Sequence, residues 1–408
     1  MAVGLSDQLP PIHPVADCWL GSTAAGIKKN GNPDLVIMQL GENARTAAVF
    51  TRNAFCAAPV TVAKAHLAVT QPRALVINSG NANAGTGEQG LADARTTCRW
   101  VAEELGLEPE QVLPFSTGVI GENLPMGRLQ QGIPAACAAL NIEGWQQACR
   151  GIMTTDTVPK VVSERIILPS GAEIVITGMT KGSGMIHPNM ATMLAYVATD
   201  ARVSQPVLQQ VLQQTTERSF NRITVDGDTS TNDACTLSAT GVADMAEIDA
   251  LDSADGEVFL RAMDDVMRRL AQMIVRDGEG ATKFVTVQVD EGATADDSLK
   301  VAFTIAHSPL VKTALFASDP NWGRILAAVG RAGVENLNID AVRIWLDDVC
   351  IVRDGGRAPD YTEEAGQRVM NQDEITIRVA LGMGSAQETV WTTDLSYDYV
   401  KINAEYRT

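Results

Sequence analysis

The chain has 408 residues, of which 45% are hydrophobic and 20% are charged, and its formal net charge at pH 7 is −17. This composition is typical of a globular protein, and the length favours two or more domains. The excess of acidic over basic residues, 49 against 32, argues against a nucleic-acid-binding protein, which needs clustered Lys and Arg to contact phosphates.

The N-terminal sequence and the cysteines bear on cellular location. The first residues contain neither the basic nor the apolar region of a signal peptide, and no apolar run approaches the roughly 20 residues that cross a bilayer. The seven cysteines are odd in number and widely scattered, which favours neither a disulfide framework nor a zinc site. We therefore expect a cytoplasmic protein that does not bind membranes, with its cysteines packed as small core residues.

Strands and helices alternate in the predicted secondary structure. Runs of apolar and β-branched residues predict strands, and apolar residues that recur every three or four positions predict helices. In the first half, these patterns predict a helix at 91–105 and strands at 35–40, 46–51, 74–78, 165–168 and 173–177, the last two joined as a hairpin. In the second half, they predict a long helix from Val258 to Ile274 and strands at 193–197, 284–289, 342–346, 374–381 and 389–393. We expect a mixed α/β protein.

A Gly-rich loop leads into the predicted strand at 193–197. In this loop, Gly182, Gly184 and Pro188 precede Ala191 and Thr192. Gly adopts backbone angles closed to other residues and Pro fixes one angle, so the loop can hold a strained turn. One interpretation is self-cleavage between Ala191 and Thr192, after which the α-amine of Thr192 serves as the base for its own hydroxyl. The other interpretation is an ordinary loop that enters a strand.

Two further loops resemble ligand-binding motifs only in part. The loop at 78–87 follows a strand and precedes a helix, where backbone N–H groups can bind an anion, but it lacks the Gly-Lys-Ser/Thr ending and the dinucleotide fingerprint. The loop that starts at Asp226 begins like a calcium loop, but its sixth position is Thr231 and its twelfth is Leu237, where Gly and Glu are required. The sequence therefore argues against calcium and favours a structural role for both loops.

Two short features have a structural and a chemical interpretation. In the segment 116–121, Thr117 and Gly118 can direct a hydroxyl and an N–H group to one point, as an oxyanion hole requires, or can form a simple Gly-containing turn. His187 lies in the Gly-rich loop, where we interpret it as a local structural residue in preference to a general base.

Several ordered blocks of sequence together resemble one known family. The blocks are 25–29, 48–51, 57–60, 78–83, 154–157, 181–194, 219–228, 319–324 and 399–408. In these blocks and across nearly its whole length, the chain is similar to the ornithine acetyltransferase family, the glutamate N-acetyltransferases of arginine biosynthesis. The resemblance favours the self-cleavage interpretation of the Gly-rich loop.

The resemblance implies a fold and an assembly. The implied fold is an αββα sandwich of the DmpA and ornithine acetyltransferase type. The implied precursor cuts itself before Thr192 into an α chain, 1–191, and a β chain, 192–408, which stay together and assemble as α2β2. No cofactor and no metal are implied.

The resemblance also implies roles for individual residues. It makes Thr192 the nucleophile and Thr117 with Gly118 the oxyanion hole. The residues that it implies contact substrate are Thr155, Lys181, Thr192, Glu279, Asn403 and Thr408. Thr154 competes with Thr155 for its position in the matching block, and the substrate charges that face Lys181 and Glu279 stay open.

The implied reaction transfers an acetyl group from N2-acetyl-L-ornithine to L-glutamate through an acetyl ester of Thr192. Whether acetyl-CoA is a second donor stays open. Two alternatives also remain: an amidohydrolase or aminopeptidase of the same fold, which passes the acyl group to water, and a non-enzymatic protein that binds a ligand at 78–87.

Overall fold

The computed structural model describes residues 2–187 and 193–405, so Ala191, Thr192 and Thr408 lie outside the described residues. The chain divides into two compact units. The larger unit comprises Asp7–Asn221 and Asp228–Ile274, and the smaller unit comprises Met1–Ser6, Arg222–Gly227 and Val275–Thr408. The predicted cleavage site belongs to the larger unit, so the unit boundary differs from the predicted boundary between α and β chains.

The larger unit contains nine strands and six helices in the described residues. The strands are β1 (Cys18–Thr23), β2 (Leu35–Leu40), β3 (Arg45–Phe50), β4 (Ala74–Asn81), β5 (Val112–Val119), β6 (Lys160–Ile167), β7 (Glu173–Lys181), β8 (Leu194–Thr199) and β9 (Ala234–Ala239). The helices are α1 (Ala58–Val69), α2 (Gly87–Leu105), α3 (Met126–Ala138), α4 (Trp145–Gly151), α5 (Gln205–Arg218) and α6 (Ala254–Arg276), whose last residues enter the smaller unit.

These strands form two sheets that pack face to face. One sheet has the order β1-β2-β4-β5 and the other the order β3-β9-β8-β7-β6. Side chains alternate along a strand, so Val36 and Met38 of β2 join the core between the sheets, whereas Leu35 and Ile37 pack towards α2 and α3. Both faces of β2 are therefore buried, which explains its uninterrupted apolar sequence.

Helices cover the outer face of each sheet. Helices α2 and α3 pack on the first sheet, and α5 packs on β3 and β9 of the second. Gly178 of β7 leaves room for α6, because a Cβ atom at this position would lie 2.9 Å from a methyl group of Leu270. The resulting order of layers is αββα, which confirms the fold class implied by the resemblance.

The strands next to the predicted cleavage site are direct neighbours. Strands β7 and β8 are antiparallel with Lys181 opposite Leu194, and β8 and β9 are parallel with Leu194 opposite Ala234. Residues 182–193 therefore connect adjacent strands in the interior of a sheet.

The smaller unit contains one six-stranded mixed sheet with the order β13-β12-β11-β14-β10-β15. Its strands are β10 (Phe284–Gly292), β11 (Arg343–Leu346), β12 (Val349–Arg353), β13 (Gly356–Arg357), β14 (Glu374–Ala380) and β15 (Ala386–Thr393). Its helices are α7 (Ala295–Ala306), α8 (Pro309–Phe316), α9 (Trp322–Gly330), α10 (Glu363–Met370) and α11 (Tyr397–Ala404). Strand β10 is parallel to β14 and antiparallel to β15, and α7 packs on β10 and β15 over an apolar core.

The predicted elements are confirmed with small shifts of their ends. The helix predicted at 91–105 begins four residues earlier, at Gly87, and the predicted hairpin is β6 and β7. The pattern missed β1, β9, β12 and β13, and it also missed β5. The interpretation of 116–121 as a simple turn is wrong, because Thr117 and Gly118 lie within β5. No helix in the described ranges is long and apolar enough to span a bilayer.

A buried hydroxyl in the core between the sheets yields a stability prediction. Tyr196 of β8 is fully buried, the centroid of its ring lies 5.3 Å from that of Phe115 in an edge-on contact, and its hydroxyl has no hydrogen-bond partner among the described residues. We expect Tyr196→Phe to raise the free energy of unfolding by about 1 kcal/mol, because it removes an unsatisfied buried polar group and keeps the ring. Tyr196→Ala should lower it by about 3–5 kcal/mol.

Urea denaturation followed by tryptophan fluorescence measures both changes. A loss of stability in Tyr196→Phe would show that the hydroxyl has a partner, such as a bound water molecule.

Candidate active site

Two of the predicted site residues from different sheets are in contact. Lys181 ends β7 and Thr117 lies near the end of β5, and the Lys181 Nζ donates a hydrogen bond of 3.1 Å to the Thr117 Oγ1. Both residues are only 9% exposed. An ammonium group has only donors, so the Thr117 oxygen accepts this bond and its own hydrogen can be donated to another acceptor. The pair therefore presents a hydroxyl donor next to a buried positive charge.

Gly118 follows Thr117 in a backbone conformation that favours glycine. Its φ angle is +134°, and it pairs with Gly80 of β4. A Cβ atom at position 118 would lie 2.3 Å from the Gly80 carbonyl carbon. The absence of a side chain at position 118 lets β4 and β5 approach closely. This close pairing fixes the orientation of the peptide group between Thr117 and Gly118.

A buried carboxylate connects the 154–160 segment to the start of the Gly-rich loop. The Asp156 Oδ1 accepts hydrogen bonds from the Gly182 N–H at 2.8 Å and from the Lys160 Nζ at 2.7 Å. The side chains of Asp156 and Lys160 are both fully buried. Burial by itself would raise the pKa of Asp156, but the positive charges of Lys160 and Lys181 outweigh burial and hold this pKa well below its usual range.

The predicted substrate contact Thr155 precedes this carboxylate. Thr154 and Thr155 are both half-buried, and the Thr154 N–H donates to the Asp156 Oδ2 at 3.0 Å. Asp156 therefore fixes the backbone on one side of Thr155 and the start of the Gly-rich loop together.

Polar side chains of the predicted 78–87 loop, whose first four residues belong to β4, bond to the protein itself. The Asn78 Oδ1 accepts from the Ser116 Oγ at 2.6 Å, and the Asn78 Nδ2 donates to the Asn81 carbonyl oxygen at 2.8 Å. The Asn83 Nδ2 donates to the carbonyl oxygen of Gly90, in α2, at 3.0 Å. These bonds support the structural interpretation of the loop, because they brace β5 just before Thr117.

Two further predicted site residues are in contact within the smaller unit. The Asn403 Nδ2 of α11 donates to the Glu279 Oε2 at 2.8 Å. The start of α11 is also held close to this loop, because the Ser396 Oγ donates to the Gly280 carbonyl oxygen at 2.7 Å. Glu279 is 8% exposed, so its carboxylate is largely removed from solvent. The C-terminal helix is thus attached to the loop that carries Glu279.

Sequence reasoning missed Asp156, Lys160 and a third buried residue, Asp233. Asp156 lies within the block 154–157 that carried the family resemblance, so the sequence pointed to the block but not to the role of Asp156 in it. Lys160 starts an apolar strand and is fully buried. An ionisable residue in such a strand signals a buried partner, because an unpaired buried charge is costly. The backbone of His187 is held by Thr229, because the Thr229 Oγ1 donates a hydrogen bond of 3.1 Å to the His187 carbonyl oxygen.

The four most buried cysteines fit the predicted core role. Cys18, Cys98, Cys149 and Cys235 are buried, whereas the other three are partly exposed. Burial raises the pKa of Cys149 to about 12, which makes its thiol unreactive at neutral pH.

The chain is similar to proteins of one family over almost its whole length. The ArgJ family matches residues 20–408. Two relatives named arginine biosynthesis bifunctional protein ArgJ, from Pseudomonas syringae pv. tomato and Pseudomonas fluorescens, are 55% and 56% identical to this chain, with 100% of both chains covered. A third relative of the same name, from Methylococcus capsulatus, is 57% identical over 97% of this chain and 96% of its own length.

Solved structures include related chains. The crystal structure of the ArgJ protein of Bacillus halodurans is 39% identical, with a TM-score of 0.50, and covers 52% of this chain and 99% of its own chain. The ornithine acetyltransferase of Mycobacterium tuberculosis, solved in complex with ornithine, is 34% identical with a TM-score of 0.38 and covers 44% of this chain and 94% of its own chain. The family match and the three relatives confirm the resemblance found in the sequence: the chain belongs to the ArgJ family.

Proposed function

We propose that this chain transfers the acetyl group of N2-acetyl-L-ornithine to L-glutamate through an acetyl ester of Thr192. Membership of the ArgJ family supports a glutamate N-acetyltransferase of arginine biosynthesis. The observation that carries the chemistry is the hydrogen bond from Lys181 to Thr117. It leaves the Thr117 hydroxyl free to donate, next to a buried positive charge, which is what a developing oxyanion needs.

In the proposed first half-reaction, the Thr192 hydroxyl attacks the acetyl carbonyl carbon and the free α-amine of Thr192 takes the hydroxyl proton. The Thr117 hydroxyl and the Gly118 N–H stabilise the negative oxygen of the tetrahedral intermediate. This intermediate collapses with breakage of the amide bond, and the proton goes to the departing nitrogen of ornithine. In the second half-reaction, the glutamate amine attacks the ester and releases Thr192.

The nucleophile requires self-cleavage between Ala191 and Thr192, and the sheet explains how the resulting chains would stay together. In the order β3-β9-β8-β7-β6, strands β8 and β9 belong to the proposed β chain and their neighbours β3 and β7 to the α chain. Two complete ladders, β7 with β8 and β3 with β9, would therefore join the two chains after the cut. This arrangement supports a stable αβ pair, and we propose α2β2 as the assembly and the cytoplasm as its location.

The substrate has an α-carboxylate and a side-chain ammonium group, which call for a basic and an acidic partner. We propose that Lys181 and Glu279 supply these charges, and that Thr155, Asn403 and Thr408 add polar contacts to the amino-acid part of the substrate. The contact between Asn403 and Glu279 supports a shared role for these two residues, because it orients one oxygen of the carboxylate and leaves the other for a ligand. We also propose acetyl-CoA as a second acetyl donor, since the relatives are named bifunctional proteins.

The cleavage proposal predicts two fragments that cover residues 1–191 and 192–408. Thr192→Ala should give one uncut band in denaturing electrophoresis, because it removes the attacking oxygen. Thr192→Ser keeps a hydroxyl and should still be cut, and N-terminal sequencing of the second fragment of the unaltered protein should begin Thr-Met-Leu. Cleavage of the Ala variant at this bond would rule out attack by the Thr192 hydroxyl.

The ester proposal predicts two separate half-reactions. N-acetylornithine alone should add one acetyl group to the β chain, visible in the intact mass, and double-reciprocal plots for the two substrates should be parallel. Glutamate should then remove this acetyl group as N-acetylglutamate. Intersecting lines without any acetylated β chain would favour direct transfer, and loss of the acetyl group to water at the same rate without glutamate would favour a hydrolase.

The Glu279 proposal predicts a loss of binding that does not affect self-cleavage. Glu279→Gln keeps an oxygen that can accept from Asn403 but removes the charge, so we expect kcat/KM to fall about tenfold or more because a charge-assisted hydrogen bond is lost. Rates of β-chain acetylation and of acetyl transfer to glutamate, measured separately, identify which substrate meets the carboxylate. Glu364→Gln is the matched control, because Glu364 is exposed on α10. Equal kinetics of the two variants and the unaltered enzyme would remove Glu279 from the substrate site.

A further inference from the structure

The segment 229–233, which the proposed reaction does not use, and the first residue of β9 contact the two described ends of the predicted cleavage loop. At one end, the Thr229 Oγ1 donates to the His187 carbonyl oxygen at 3.1 Å. At the other end, the Ala234 N–H donates to the Met193 carbonyl oxygen at 3.0 Å. The segment before β9 is therefore in contact with the chain immediately before and shortly after residues 188–192.

This segment is itself held firmly by the rest of the larger unit. The Asn232 Nδ2 donates to the carbonyl oxygens of Ala82 and Ser116, at 2.5 and 3.0 Å, and thereby contacts β5 next to Thr117. The Thr51 N–H donates to the Asp233 carbonyl oxygen at 2.9 Å. A side chain in this segment can therefore act as a rigid support for the loop.

Asp233 is the residue of this segment whose side chain has an unused polar group. It is 3% exposed, and its Oδ2 atom is buried without a hydrogen-bond partner in the described part of the chain. Ser230, the backbone N–H of Met193 and the positive charge of Lys181 lie close enough to this carboxyl group to favour its charged form. A buried carboxyl group with an unsatisfied oxygen is costly for stability, so a purely structural role would favour another residue type.

We propose that Asp233 is a positioning residue, whose carboxyl group holds the Met193 N–H and thereby fixes the peptide unit that joins Thr192 to Met193. This proposal rests on the proposed role of Thr192 and adds a residue to that site. Orientation of the first peptide unit of the β chain matters for both self-cleavage and acetyl transfer, because in each step the Thr192 hydroxyl must approach a carbonyl carbon within a narrow range of angles.

The protonation of Asp233 decides which substitution is conservative. Burial raises the pKa of this carboxyl group well above its usual range, although Ser230 and Lys181 favour the charged form. Burial therefore favours the neutral acid over the charged form, and the amide of Asn has the same shape and no charge. Asp233→Asn should keep the acceptor for Met193, whereas Asp233→Leu removes it at similar volume.

The test compares these variants in the full-length chain, by the rate of appearance of the two fragments, by kcat and KM of the cut enzyme, and by thermal unfolding. We expect Asp233→Leu to slow self-cleavage and to lower kcat by about tenfold or more with KM nearly unchanged, since misorientation of a reacting group acts on the chemical step. In Asp233→Asn, both rates should be within about threefold of those of the unaltered enzyme, because the Asn side-chain oxygen can still accept a hydrogen bond from the Met193 N–H. If the Leu variant does not fold, Asp233→Ser takes its place, because its shorter side chain also lacks the carboxyl acceptor.

Asp200 supplies a matched control at the opposite end of β8. Its Oδ1 accepts from the Val175 N–H at 2.7 Å, so it too is a carboxyl group that holds a neighbouring backbone N–H. Asp200→Leu should reduce thermal stability but leave self-cleavage and kcat unchanged. Equal slowing by Asp200→Leu, or unaltered cleavage and kcat in a folded Asp233→Leu or Asp233→Ser variant, would overturn the proposal for Asp233.

The unaltered chain separates this proposal from the one on which it rests. If that chain is neither cut at Thr192 nor acetylated on its β chain, the proposed reaction fails. If it is both cut and acetylated while the Asp233 variants behave like it, only the positioning role of Asp233 fails.

Discussion

The arrangement around the Gly-rich loop depends on the buried positive charge of Lys181. Its Nζ bonds to Thr117 across the two sheets, and its charge helps to keep Asp156 ionised. Asp156 in turn bonds to Lys160 and to the N–H of Gly182, the residue next to Lys181 in the chain. Because a buried charge without partners costs several kcal/mol, these groups stabilise one another and tolerate few alternative arrangements. The cation therefore fixes β5, the 154–160 segment and the start of the loop relative to one another.

The position of the Gly-rich loop inside a sheet fits the self-cleavage proposed for it. A loop that joins two adjacent antiparallel strands can be opened without the loss of a single bond in the ladder between them. Strand β8 has β7 on one side and β9 on the other, and the core between the sheets contains residues from both sides of the loop. Hydrophobic burial and hydrogen bonding thus hold β7, β8 and β9 together without relying on the loop, so a cut in the loop would remove mainly its limit on the entropy of the unfolded chain.

Much of the fold was predictable from periodicity, whereas the site required the family resemblance. Strand β2 and helix α6 have clear apolar patterns, so both were predicted close to their observed bounds. Strand β5 was missed because its end, Ser116-Thr-Gly, has the composition of a turn and becomes a strand only through its pairing with β4. Similarly, the contact between Lys181 and Thr117 joins residues 64 positions apart, which no local pattern specifies. Asp156 and Asp233 were not singled out, since their importance lies in burial and in partners that only the folded chain supplies.

Asp156 and Asp233 make opposite contributions to the pH dependence of folding. The lowered pKa of Asp156 means that the unfolded chain binds its proton more readily, so its stabilising effect is present above a pH of about 4 and is lost as the pH falls further. The raised pKa of Asp233 means that the folded chain keeps a proton that the unfolded chain releases near pH 4, so this residue lowers stability progressively as the pH rises above about 4. At neutral pH, one carboxyl group therefore stabilises the loop region and the other destabilises it. A residue that lowers stability at the position facing Met193 is easier to explain by a hydrogen-bonding role towards Met193 than by packing, because Leu, of similar size, would avoid the cost.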